Sequence, residues 1–256
     1  MQSNSRRIIP HPGFAAALIV SIMSHRVLKR ETLNMQKKRA SLEDTSQHLD
    51  IELAEIVPEY HSGSALVRWL FNKRLDCAET YVQTVAPRSL VDIGCGEGQF
   101  IVRLNKRGGR IGDVWGVDLN PHVKELNGKI ENCTFAQRSI FASGFQDGMF
   151  DVVVCLDVLE HIHDIEKAID EIKRILSVRG HLITSEPVES VIYRSLRFLL
   201  KGTYSQESGP GAGKHYYNAR QIDRIIRTMG FVRVRSRRVP FFPPFDLFHV
   251  NLYIKK

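Results

Sequence analysis

The chain has 256 residues, a formal net charge of +8 and a hydrophobic fraction of 43%. This length supports one large core, and the composition is ordinary for a soluble protein. The four cysteines, Cys77, Cys95, Cys133 and Cys155, are too widely spaced for a zinc knuckle, a redox pair or a disulfide framework. We therefore expect reduced thiols in a cytoplasmic protein and no metal site.

The basic excess lies in the last quarter of the chain. Residues 188–256 hold 13 Lys/Arg against 4 Asp/Glu. Such a segment suits an anionic substrate, a membrane surface or RNA, and the alternative is a solvated basic surface.

The N-terminal region contains a short apolar run, Phe14–Met23. It is too short to span a bilayer, and no small-residue cleavage site follows it, so a signal peptide is disfavoured. Translation starting at Met23 or Met35 remains a further alternative. We expect residues 1–60 to form an extension that is partly helical or disordered.

Strands and helices alternate through the middle of the chain. Apolar runs predict strands, and helical apolar spacing predicts helices between them. The predicted strands are 89–93, 114–118, 133–136, 150–156 and 181–185, and the predicted helices are 64–84, 99–106, 122–129 and 164–176. This alternation indicates an α/β domain with a parallel sheet.

The pattern changes after Pro187. Residues 188–201 predict a basic amphipathic helix, and a loop rich in Gly and Ser follows at 205–213. A helix at 218–229 and two closing strands, at 231–236 and 247–254, complete the chain; the strands suggest an antiparallel pair.

A glycine-rich loop follows the first predicted strand. Gly94, Gly96 and Gly98 lie two residues apart, unlike the dinucleotide fingerprint, whose last gap is wider. Asp92 precedes the loop, where a carboxylate accepts hydrogen bonds from a cationic ammonium and repels a pyrophosphate. Asp118 ends the next strand, at the position of a carboxylate that binds ribose hydroxyls. The alternative is that Asp118 caps the following helix.

Three motifs together resemble class I S-adenosylmethionine-dependent methyltransferases. Val-Asp-Ile-Gly-Cys-Gly-Glu-Gly (91–98) resembles their first motif, and Gly-Val-Asp-Leu-Asn (116–120) their ribose-binding motif. The segment 150–162, from Phe-Asp-Val to Glu-His-Ile, is similar to the branch that includes ubiquinone-biosynthesis methyltransferases.

The resemblance covers about residues 64–187 and 215–231. It implies a Rossmann-like, doubly wound, mostly parallel seven-stranded sheet with an antiparallel C-terminal strand, formed by residues 61–256. Residues 188–217 would then be a small lid insertion that defines the substrate.

The resemblance also implies S-adenosylmethionine as cofactor and assigns residues to it. It places Asp92, Gly94, Gly96, Gly98 and Leu156 near the methionine portion, Asp118 at the ribose and Leu119 at the adenine. Cys95, in the same loop, is also assigned to the cofactor site. One position departs from the family, because Ser139, followed by Ile140, stands where an acidic residue usually binds the adenine amino group. The Ser139 hydroxyl and the Ile140 N–H can still bind the ring, with an expected loss of about 1 kcal/mol.

His161 is the best candidate for a general base, because an imidazole titrates near neutrality. The alternative is a histidine that caps or packs the next helix. Glu160 and Asp157 are weaker candidates as helpers. His215 and Tyr216 are predicted to border the substrate cavity; alternatively Tyr216 begins a packed helix.

These observations favour methyl transfer to a small-molecule acceptor, hydrophobic or anionic, with peripheral membrane contact as a hypothesis. An RNA or protein methyltransferase is the alternative that the basic C-terminal quarter supports. Against it, Leu156-Asp157-Val158-Leu159 stands where exocyclic-amine methylating enzymes carry Asn/Asp-Pro-Pro-Tyr/Phe. A non-catalytic binding protein is a third alternative. The sequence does not indicate an oligomeric state.

Overall fold

A computed structural model describes residues 65–106, 111–188, 215–240 and 246–256. The predicted N-terminal extension, the predicted helix 188–201 and most of the predicted lid lie outside these residues. Among the helices described, none is both long and apolar enough to cross a membrane.

The described elements alternate as the sequence predicts. Their bounds, in chain order, are α1 (Ala65–Val85), β1 (Ser89–Ile93), α2 (Gln99–Lys106), β2 (Asp113–Asp118), a 3-10 helix (Pro121–Leu126), β3 (Thr134–Gln137), β4 (Phe150–Leu156), a 3-10 turn (Leu159–His161), α3 (Ile165–Ile175), β5 (Leu176–Pro187), α4 (Ala219–Thr228), β6 (Phe231–Val239) and β7 (Phe248–Lys255).

The strands form one seven-stranded sheet in the order β3-β2-β1-β4-β5-β7-β6. Neighbouring strands from β3 to β5 are parallel, and β7 is antiparallel to both β5 and β6. The predicted mostly parallel sheet with an antiparallel C-terminal strand is confirmed. Because parallel strands end at one edge, the loops after β1, β2 and β4 meet there.

Helices cover both faces of the sheet, which makes the domain doubly wound. Alternate residues of each strand face opposite sides, so Leu90 and Val152 pack with α1 and α2, whereas Val91 and Val153 pack with α3 and α4. β4 is buried along almost its whole length, as expected for a central parallel strand.

Two predicted elements differ in the structure. The predicted helix 122–129 is a shorter 3-10 helix, Pro121–Leu126. It ends before Asn127, whose side-chain amide donates to the Phe135 carbonyl in β3 and accepts from the Phe135 N–H, both at 2.8 Å. β5 begins at Leu176, directly after α3, rather than at His181, because Leu176 already pairs with Phe150 across an irregular register.

α3 supplies the main test of the packing. Ile169 lies at 0% exposure on its buried face. We expect Ile169→Ala to lower the free energy of unfolding by about 2–5 kcal/mol, since it removes buried methyl groups and leaves a cavity. Urea denaturation measures this loss. Asp170→Ala, on the exposed face of the same helix, should change it by less than about 0.5 kcal/mol; equal effects of the two variants would contradict this packing.

Candidate functional site

The glycine loop after β1 is held by its own backbone hydrogen bonds. The N–H groups of Gly94 and Cys95 both donate to the Val117 carbonyl, at 2.7 and 3.1 Å, and the Gly98 N–H donates to the Cys95 carbonyl at 2.8 Å. Gly94, Gly96 and Gly98 have φ values of 74°, 51° and 72°, a region that favours glycine. The loop is therefore preorganised before any ligand binds.

This arrangement does not suit a phosphate. Anion-binding loops direct free N–H groups at the ligand, whereas here the N–H groups of Gly94, Cys95 and Gly98 are already used. At Gly98 a Cβ would lie 2.9 Å from Ile130, but at Gly96 it would meet nothing within 4 Å. The chain thus leaves open space beside the Gly96 backbone, where a ligand can approach closely.

Asp118 joins the loop to the end of β2. Its Oδ2 accepts from the Gly96 N–H and its Oδ1 from the Asn120 N–H, both at 2.9 Å. The next helix is capped by Asn120, whose side chain accepts from the His122 N–H at 3.0 Å, so the alternative role of Asp118 as the cap is wrong. Each carboxylate oxygen retains a lone pair for a ligand hydroxyl, and ribose binding by Asp118 stays a prediction.

Asp92 is a buried carboxyl, only 3% exposed, at the same edge. Burial, and to a lesser extent the negative charge of Asp118, raises its pKa to about 8. A buried carboxylate is stabilised by a cation that binds beside it. The pair Asp92 and Asp118 therefore fits a ligand that carries positive charge near hydroxyl groups.

Leu119 and Ser139 border the other end of this edge. Leu119 is 69% exposed, which is unusual for a leucine and leaves an apolar surface beside Asp118. Its carbonyl accepts from the Gln137 side chain at 2.9 Å, which ties the end of β2 to β3. The Ser139 hydroxyl accepts from the Phe141 N–H at 3.2 Å, and Ile140 is buried. An apolar surface after β2 and a hydroxyl after the neighbouring strand β3 are compatible with a heteroaromatic ring.

The thiol of Cys95 is buried beside the two carboxylates. Burial, followed by the charges of Asp92 and Asp118, raises the pKa of this thiol well above its ordinary value. Cys95 is therefore a neutral packing residue of the loop and not a nucleophile.

β4 ends at Leu156, which is half-buried and packs on the core. Asp157 follows with a φ of 55°. Its N–H donates to the Ser185 carbonyl at 2.8 Å, and its carboxylate forms an ion pair with Arg74. Arg74 is buried and lies 5.2 and 5.0 Å from the rings of Phe71 and Phe248. Sequence reasoning missed Arg74, although a cation on the apolar face of α1 was a usable signal.

Glu160, His161 and His215 converge beyond this point. Glu160 is buried, and the rings of His161 and His215 lie 4.7 Å apart at 72°. The Tyr216 N–H donates to the Glu160 carbonyl at 2.7 Å. The sequence placed His161 and His215 in the site but did not predict that they touch, since 53 residues separate them.

The structure also excludes a capping role for His161 and a helix start at Tyr216. α3 begins at Ile165 after Asp164, so His161 does not cap it. α4 begins at Ala219 with Asn218 as its cap, so Tyr216 does not begin that helix. Tyr216 is 42% exposed, and its ring packs edge-on to His163 at 5.2 Å.

Comparison with known proteins agrees with this geometry. A family described as "Methyltransferase domain" matches residues 91–184. The ubiquinone/menaquinone biosynthesis C-methyltransferase UbiE of Zymomonas mobilis is 26% identical over 179 residues, which cover 62% of this chain and 73% of that protein. The ubiquinone biosynthesis O-methyltransferase of Alkalilimnicola ehrlichii is 27% identical over 171 residues, 61% of this chain and 68% of that protein.

Solved structures share the fold. The N-methyltransferase NodS from Bradyrhizobium japonicum, solved with S-adenosyl-L-homocysteine, superposes with a TM-score of 0.57 at 17% identity, covering 80% of this chain and 94% of NodS. The PH0226 protein of Pyrococcus horikoshii gives 0.59 at 16% identity, covering 80% and 99%. The family match spans β1 to β5 and includes the three motifs at this sheet edge, so residues 91–184 are similar to the methyltransferase domain and share the fold of the methyltransferase structures.

Proposed function

We propose that the chain transfers a methyl group from S-adenosylmethionine to a small-molecule acceptor that is hydrophobic or anionic. The observation that carries the proposal is the edge formed by Asp92, the Gly94–Gly98 loop and Asp118, which suits a cationic ligand with ribose hydroxyls. The two quinone-biosynthesis relatives support an acceptor of the quinone-precursor type.

The bound cofactor supplies an electrophilic methyl group on a sulfonium. Asp92 would hold the ammonium of its methionine portion, and the loop backbone, with Cys95 packed behind it, would follow that portion closely. Asp118 would bind the ribose hydroxyls. Leu119 would cover the adenine face, with Ser139 and Ile140 at the ring edge and Leu156 near the methionine portion.

The remaining task of the protein is to align the acceptor and to take its proton. His161 lies where β4 ends, at the carboxyl edge that also carries Asp92, and next to His215. We place proton removal from the acceptor at the cluster of Glu160, His161 and His215. Tyr216, half-exposed beside this cluster, would border the acceptor.

The acceptor class is tested by incubating the protein with methyl-labelled cofactor and fractionated cell extract. Label in the organic-soluble small-molecule fraction is the expected result. Four exposed arginines on edge strand β6, Arg233, Arg235, Arg237 and Arg238, keep RNA as the competing acceptor. Label in RNA or protein, with none in small molecules, would overturn the proposal.

Asp92→Asn should have opposite effects on stability and on cofactor binding. Because the raised pKa of Asp92 means that ionisation opposes folding, the free protein loses stability as pH rises from about 4 to about 8, and the variant removes this loss. At about pH 7 we expect a Tm at least about 2 °C higher and cofactor affinity about 10- to 100-fold weaker.

Thermal unfolding and titration calorimetry measure the two effects. Wild-type protein should also release a proton on binding, since the ammonium favours ionised Asp92, and the variant should not. Asp113→Asn, an exposed carboxylate at the start of β2, is the matched control and should change neither quantity. Undiminished affinity in Asp92→Asn would contradict the assignment.

Ser139→Asp restores the acidic residue that the family usually carries. The Phe141 N–H, which donates to the Ser139 hydroxyl, can donate to the new carboxylate instead. We expect cofactor affinity to rise about 5- to 10-fold through a charged hydrogen bond to the adenine amino group. Calorimetry checks it against Ser139→Ala, which should weaken binding only slightly; equal affinity in all three proteins would place the adenine elsewhere.

His161→Gln should lower kcat by about 10²- to 10⁴-fold while leaving cofactor affinity nearly unchanged, because the residue serves the acceptor and not the cofactor. Steady-state kinetics with the identified acceptor, and calorimetry with the cofactor alone, separate the two effects. His181→Gln is the control, since His181 pairs with Val152 in the first half of β4, away from this edge. Full activity in His161→Gln would remove His161 from the mechanism.

A further inference from the structure

Three side chains with metal-binding atoms meet at the acceptor end of the site. One ligand atom each from Glu160, His161 and His215 lies within 4.8 Å of the other two. Two come from the 3-10 turn after β4, and the third from the start of the segment that leads into α4.

The backbone holds these residues together independently of their side chains. The Tyr216 N–H donates to the Glu160 carbonyl at 2.7 Å, and the His161 N–H donates to the Val158 carbonyl at 3.0 Å. The Tyr217 hydroxyl donates to the His163 carbonyl at 2.9 Å. These bonds fix His215 against the turn, so the convergence is built into the fold.

The composition of the cluster suits a transition metal. Two imidazoles and one carboxylate form the nitrogen and oxygen donor set of Zn²⁺, Mn²⁺ and Co²⁺ sites, whereas Mg²⁺ and Ca²⁺ prefer oxygen alone. A four-coordinate ion with bonds of 2.0–2.1 Å needs ligand atoms roughly 3.3 Å apart, which small side-chain rotations can reach from the spacing seen here.

Burial adds an energetic reason. Glu160 is 1% exposed, and a metal ion bound to a carboxylate at such a position offsets part of the cost of burying its charge. A dication supplies that charge, and three protein ligands leave at least one coordination position open for an acceptor oxygen.

We propose that Glu160, His161 and His215 bind one divalent transition-metal ion at the acceptor end of the site. This replaces the expectation of no metal, which rested on cysteine spacing. The proposal relies on the proposed function only for the role of the ion, which is to bind an acceptor oxygen and favour loss of its proton to solvent. Under it, His161 assists proton removal as a ligand of the ion and does not itself accept the proton, so His161→Gln still lowers kcat.

The test is a titration of chelator-treated full-length protein with Co²⁺, followed by visible absorption. Wild-type protein should bind one equivalent with a ligand-field band of low symmetry. Glu160→Gln and His215→Ala should each raise the dissociation constant for Co²⁺ by at least about 10-fold. The matched control is His122→Ala, which disrupts a different His–Glu contact, that of His122 with Glu125 at 2.6 Å, and should retain the site.

Cofactor binding is measured on the same samples, which shows that each variant is folded. Absence of Co²⁺ binding to wild type at about 1 mM, or equal binding in wild type and both ligand variants, overturns the metal site. If the metal binds and the cofactor does not, the proposed function fails instead, so the two failures are distinguishable.

Discussion

The hydrogen bond from the Gly96 N–H to Asp118 is the contact on which the cofactor edge depends. It joins the loop after β1 to the end of the neighbouring strand β2. The same carboxylate also accepts from Asn120, so one side chain sets the path of the chain on both sides of the ligand position. A carboxylate that is already oriented need not be ordered again when a ligand binds, which lowers the entropy cost of binding.

The electrostatics of the carboxyl edge complement this geometry. Buried acidic groups surround the end of β4, and the pKa of the Cys155 thiol is raised by burial and by the charges of Glu160, Asp92 and Glu186. Burial is also the main cause that raises the pKa of Glu186 to about 8. So many buried carboxyls in a small volume oppose folding unless they are neutral or meet cations. A cationic cofactor at Asp92 and the proposed dication at Glu160 would each relieve part of this cost.

α1 packs on one face of the sheet and contacts this edge through Arg74. Buried Arg74 lies against the rings of Phe71 and Phe248, which also pack edge-on to each other, and it forms an ion pair with Asp157. Asp157 has a left-handed φ, which is costly for a residue other than glycine. The ion pair and the backbone hydrogen bond to Ser185 hold Asp157 in this conformation. Asp157 therefore helps to set the positions of Glu160 and His161, which follow it in the chain. A helix that the family match does not cover thus supports the acceptor end of the site.

The sequence by itself determined the sheet strands, the helices on their two faces and the cofactor loop. Local patterns suffice for these features, because apolar runs and glycine spacing report burial and backbone conformation directly. The same reasoning failed where a partner outside the element decides. The 3-10 helix ends early because the Asn127 amide pairs with Phe135, and β5 begins early because Leu176 meets Phe150.

Only the tertiary structure brought Glu160, His161 and His215 together and paired Arg74 with Asp157. Neither contact follows from spacing along the chain, since each joins residues separated by more than 50 positions that the sheet order places at one edge.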